Sequence, residues 1–137
     1  MRNRTGLIIA AAGAFALVAL SGMQDALWAQ GDGMVDVQLP ESLSANAEIG
    51  RTMFEAKCAV CHGASAAGQD GLAPPLIHRF YEPNHHADEA IQRAVAMGVQ
   101  QHHWDFGDMP PVSGLTRGDV QMIIAYIREV QRANGIE

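Results

Sequence analysis

The chain carries no basic run and no surplus of positive charge. Lys plus Arg number 9 against 15 Asp plus Glu, for a formal charge of −6. Without a clustered cationic surface to neutralise phosphates, nucleic-acid binding is excluded. At 137 residues the chain is too short for a TIM barrel and argues for one domain. Cysteine is scarce, with two residues in all. Larger apolar side chains are also thin on the ground outside the N-terminus. Of 66 apolar residues, 19 fall in positions 1–29, and 16 of the other 47 are Ala or Cys, so 31 larger ones are left to build a core. Chains of this size bury only about two-thirds of their surface and are marginal without help, so something other than side chains is expected to fill the centre.

The N-terminal apolar residues have their own explanation. Arg2 and Arg4 precede an uncharged stretch from Gly6 to Leu20, followed by a polar segment and then Ala26-Leu27-Trp28-Ala29. That order is the charged, apolar and small-residue pattern of a secretory signal peptide at 1–29. The apolar stretch is short of the roughly 20 residues that span a bilayer. Leu27 is not an ideal residue two before the cleavage point, so retention as an N-terminal anchor stays open. Either way the remainder is expected to be exported to the periplasm. Removing 1–29 leaves 7 basic and 14 acidic residues, a charge of −7.

Residues 30–43, with Gly, Pro and acidic residues and no helical period, read as a flexible leader arm before a domain at 44–137. A first helix is expected from about Ala45 to Ala59, capped by Ser44, with Ile49, Met53 and Phe54 on one face. Gly63 to Pro75 is loop. A middle helix is expected from about Ala87 to Met97, with Asp88 and Glu89 in its first turn and Gly98 as its stop. Val99 to Leu115 is a second long loop. A last helix opens on Thr116 with Asp119 three residues on, repeats Val120, Ile123, Ile124, Ile127 and Val130 at helical spacing, and ends before Gly135. No strand pattern, repeat or low-complexity tract accompanies them. The class is all-α, three to five helices with long loops.

The two cysteines form Cys58-Ala-Val-Cys61, followed at once by His62. A disulfide across two residues closes almost no loop and would stabilise little. A thioredoxin-like dithiol needs a βαβ setting, and a zinc site needs a second ligand pair. Covalent haem attachment uses every residue present: two thiols for two vinyl groups, and the next histidine for the iron.

On these residues the chain resembles the class I c-type cytochromes, over about Ala45 to Arg132. Gly50, Phe54 and Tyr126 look like that family's helix-crossing contact. Gly71-Leu-Ala-Pro74-Pro75-Leu76 resembles its loop after the attachment site. The resemblance implies a small cytochrome c fold around one haem c per chain, with the Pro74 carbonyl orienting His62; Pro75 beside it leaves the choice of proline open. Met109, in Phe-Gly-Asp-Met109-Pro-Pro, resembles the Met-Pro loop that supplies the second axial ligand, with His102 and His103 as rivals that would give a lower-potential bis-His haem. Met53, Met97 and Met122 fall inside expected helices and read as core filler. Ile49, Phe54, Leu76, Ile91, Val95, Ile123 and Ile127 are expected to pack around the porphyrin.

Five further histidines, His78, His85, His86, His102 and His103, depart from the family pattern and flank the middle helix. Singly each reads as a solvated loop residue. Together they suggest a second site for copper or zinc, with His78, one of His85 or His86, and one of His102 or His103 as ligands. Asp105-Phe106-Gly107 matches a kinase tripeptide by chance, and Gly63 to Gly68 lacks the Lys of a phosphate loop.

The function expected is a monomeric periplasmic carrier of single electrons, not itself an enzyme, whose acidic surface suits redox partners with basic docking faces. Membrane contact is expected only if the N-terminal segment is retained. The alternative is a haem enzyme, a sensor, or the electron-entry subunit of a larger redox enzyme.

Overall fold

A computed structural model describes residues 33–137; the signal-peptide reading of 1–29 lies outside the described residues. Four α-helices carry the fold: α1 (Ala45–Lys57), α2 (Ala59–His62), α3 (Asp88–Met97) and α4 (Arg117–Ala133), with 3₁₀ turns at Ala64–Ala66 and Arg79–Tyr81. Among the described residues there are no strands, only two isolated bridges, Gln69 with Ala73 and Val99 with Met109. No described helix is long and apolar enough to cross a membrane.

The expected single helix from Ala45 to Ala59 breaks at Cys58, whose φ of −112° separates α1 from the one-turn α2. Ser44 caps α1, its hydroxyl accepting from the Ala47 N–H. At α4 the expected box is complete, with Thr116 accepting from the Asp119 N–H and the Asp119 carboxylate accepting from the Thr116 N–H. Both caps satisfy amides that have no partner inside the helix.

Helix α1 packs along α4, and α3 packs on α4 beside it. The α1–α4 crossing sits at Gly50, where a Cβ would overlap the Met122 carbonyl, so only glycine lets the two backbones meet. Phe54 and Tyr126 pack next to it at a tilt of 52°, ring centroids 5.5 Å apart. The buried face of α1 is Ala47, Gly50 and Phe54. This corrects the expected face. Ile49 is 49% exposed, because it lies off the line that those three residues draw along the helix.

A second cluster joins Val95 of α3 to Val120 and Ile124 of α4. The described part of the arm, 33–43, is held to the body, which the sequence did not suggest. Gln38 and Asn134 exchange two hydrogen bonds of 2.9 and 2.8 Å, Met34 N–H donates to the Ala67 carbonyl, and Val37 and Leu43 pack against the core.

Candidate functional site

Between the α1–α4 crossing and α3 lies a cavity of about 630 Å³, lined by Phe54, Leu76, Ile91, Val95, Ile123 and Ile127 among others. The same wall carries Cys58, Cys61, His62, Pro74 and Met109. Every expected haem residue is thus brought to one space, and of the apolar set only Ile49 is outside it.

The break at Cys58 presents both thiols. Burial pushes the Cys58 thiol up to about 11, with Cys61 adding to the shift. After His62 the chain doubles back under α2. Gly68 N–H donates to the His62 carbonyl at 2.7 Å, the Gln69 side chain donates to the Ala59 and Val60 carbonyls, and Leu76 N–H donates to Ala66. That return sets the Pro74 carbonyl 2.9 Å from His62 Nδ1, which donates to it. Of the two prolines it is Pro74 that meets the ring. Burial holds the His62 imidazole below its usual range, against the opposing pull of the Pro74 bond. The ring is therefore neutral with Nδ1 protonated, which leaves the Nε2 lone pair free to bind a metal.

Met109 is fixed from its backbone. Val99 and Met109 exchange N–H···O bonds of 2.9 Å in both directions, and Val112 N–H donates to Val95. Gly98, at φ +77°, lies so close to the Met109 carbonyl that a Cβ there would strike it. The prolines after Met109 add stiffness, so its thioether is presented to the cavity from an anchored bridge and not from the loose loop the sequence suggests.

The cavity also contains a polar group awaiting a partner. Trp104 Nε1 is buried without an acceptor. The nearby Tyr81 hydroxyl, pushed up to about 12 by burial with Trp104 opposing, lies outside hydrogen-bond geometry to the indole. A large apolar occupant with carboxylates at its edge fits this wall: it fills the apolar space, meets two thiols and two iron-ligand donors, and offers an acceptor to Trp104. Haem has that chemistry, and the volume lies within the range of about 300–1,000 Å³ typical of cofactor sites.

The surplus histidines gather at the edge of the same cavity, but not as the sequence grouped them. One ring nitrogen each of His85, His86 and His103 lies within 4.8 Å of the other two. His78 is excluded from the set because its Nδ1 caps the turn Arg79–Tyr81, accepting from Phe80 N–H at 3.2 Å. His102 donates from Nδ1 to the Gln100 carbonyl and stays beside the triad, 4.3 Å from His103 between ring centres. Burial and the imidazoles around it hold His103 below its usual range. His86 is lowered likewise, with the Phe80 bond opposing.

Arg128 carries no sequence signal of a role, yet it ties these pieces together. Its buried guanidinium donates to Asp88 Oδ1 at 2.9 Å, to the Tyr81 carbonyl and Gln131 Oε1 at 2.7 Å each, and to the His86 carbonyl. Gln131, fully buried, donates in turn to the Leu76 and Tyr81 carbonyls.

A family model described as Cytochrome c matches residues 47–131. No curated protein matches the chain.

Proposed function

The chain belongs to the cytochrome c family, a haem-based electron-transfer protein, and from that premise we propose that it carries single electrons between redox partners in the periplasm through one haem c with His62 and Met109 as axial ligands. Bound in this cavity, haem supplies a reversible one-electron couple. Cys58 and Cys61 would hold it by thioethers. His62, kept neutral by burial and aimed by Pro74, would offer Nε2 to the iron, and Met109 would offer its thioether from the Val99 bridge. With His62 and Met109 both held for the iron, no site would be left open to a substrate, which favours transfer over catalysis.

The observation that carries this reading is the convergence of Cys58, Cys61, His62 and Met109 on one apolar cavity. Export rests on the signal-like residues 1–29. The partners follow from charge: a mature chain of −7 docks on basic faces in a monomeric, transient encounter that weakens with salt.

The spectrum of the oxidised protein tests the ligand pair. A sulfur-to-iron charge-transfer band is expected in the parent and lost in Met109→Ala. Met109→His lowers the reduction potential, since His/Met ligation sits above His/His. Absence of the band from the parent would overturn the assignment.

A further inference from the structure

We propose that His85, His86 and His103 bind a divalent transition-metal ion, Zn²⁺ or Cu²⁺, at the rim of the haem cavity. The site shares no residue with haem attachment or axial ligation, so it stands or falls separately from the electron-carrier reading.

Spacing is the first support. The three ligand nitrogens lie within 4.8 Å of one another, and His85 Nε2 is 3.3 Å from His103 Nε2. Two nitrogens bound to zinc at about 2.0–2.1 Å and held at the tetrahedral angle are about 3.3–3.4 Å apart. The pair already has the bite of a chelate.

Ring orientation is the second. His86 donates from Nδ1 to the Phe80 carbonyl, which fixes its tautomer and leaves Nε2 as the ligating atom. A ligand histidine whose other nitrogen donates to a backbone carbonyl is the usual outer shell of a metal site.

Backbone support is the third. The His85 and His86 N–H groups both donate to the Glu82 carbonyl, at 3.0 and 2.8 Å, and the His86 carbonyl is held by Arg128. His103 stacks on Phe80 with ring centres 4.6 Å apart and planes inclined by 22°. Its loop is cross-braced by Gln101 N–H to Asp108 and Gly107 N–H to Gln101. The imidazoles therefore need little rearrangement to converge.

Charge does not forbid it. Arg128, the cation beside His86, is already paired with Asp88 at 2.9 Å. An all-imidazole set selects zinc or copper over magnesium or calcium, which prefer oxygen ligands, and three nitrogens leave a fourth position to water.

The test uses the mature haem-loaded protein, stripped with a chelator, equilibrated with Zn²⁺ and analysed for zinc against iron. One Zn²⁺ per iron is expected, with Cu²⁺ displacing it. Affinity is expected to fall more than about tenfold in His85→Ala and in His103→Ala, at least the loss that removing an outer-shell partner causes. His78→Ala binds as the parent does. X-ray absorption at the zinc edge of the parent keeps the test independent of variant folding: three imidazole nitrogens at about 2.0 Å are expected. Zinc below stoichiometry at saturation, binding undiminished in both His85→Ala and His103→Ala, or an all-oxygen shell each overturns the site.

Discussion

Gly50 and Met122 are where α1 and α4 touch backbone to backbone: a Cβ on Gly50 would overlap the Met122 carbonyl and come within 2.9 Å of the Ile123 nitrogen. The colliding atoms are main chain inside a helix, so no side chain can swing aside. Gly50→Ala is therefore expected to cost at least the upper end of ordinary overpacking, about 3 kcal/mol, and to lower the melting temperature by more than about 10 °C. Thermal unfolding followed by circular dichroism measures it. A loss under about 0.5 kcal/mol would mean that the helices cross elsewhere.

Arg128 serves four acceptors from one planar head. Arg128→Met leaves the Tyr81 carbonyl and the Gln131 amide oxygen poorly served in a buried place, while Asp88, half exposed, returns to water. A cost of about 2 kcal/mol is expected, that of leaving buried acceptors unsatisfied. Arg128→Lys should recover less than half of it, since a single ammonium cannot fork to four oxygens. Denaturant titration of both variants decides the matter, and full rescue by lysine would refute the forked geometry.

Ser44 works at two helices at once. Its hydroxyl caps α1 and also donates to Glu129 on α4 at 2.6 Å, with its N–H donating to the same carboxylate at 2.9 Å. The Ser44 hydroxyl bond holds the Glu129 carboxyl below its ordinary value of 4.5, burial opposing and the Ser44 N–H and Arg132 assisting. A carboxyl depressed in the folded state contributes stability that is whole above the unfolded value and is lost as pH falls through the folded one. Ser44→Ala should thus cost about 1 kcal/mol at neutral pH for the cap alone, and its difference from the parent should shrink below about pH 4.5. Urea midpoints across the acid range give the comparison, and a difference constant from about pH 7 to pH 3 would contradict it.

The cavity itself sets the fate of the chain without its prosthetic group. The space of about 630 Å³ opens to solvent, and without the porphyrin its apolar lining would face water, losing burial that a small core depends on. A Cys58→Ala/Cys61→Ala chain, unable to form thioethers, is expected to lose cooperative unfolding and most of its helical signal. A sharp transition near the holo-protein's melting temperature would sink that expectation.

Local signals carried most of the fold into the sequence. The caps at Ser44 and Thr116 and the apolar period of α4 are written in residues three or four apart, and they reappear where the sequence puts them. Cys58, Cys61 and His62 are consecutive enough to be read as a unit. Ile49 misled because neighbouring positions of a short helix face differ by only a fraction of a turn, and the crossing at Gly50 decides which side is buried. Arg128 was illegible because its acceptors come from Tyr81, His86, Asp88 and Gln131, which meet only after folding. His78 offered the right chemistry, but the three-residue turn Arg79–Tyr81 took its nitrogen first.

The reciprocal bonds between Val99 and Met109 pinch residues 100–108 into a closed excursion of the Ω-loop kind. Its two ends are fixed to each other by both bonds, so α3 and α4 meet the loop first through the clasp. Lengthening, shortening or rewriting that excursion is cheap in closure entropy, about 0.6 kcal/mol per doubling of length. The fold therefore divides into a helical frame and a clasped loop whose length can change at little entropic cost, and that loop is the segment that carries His102, His103 and Trp104.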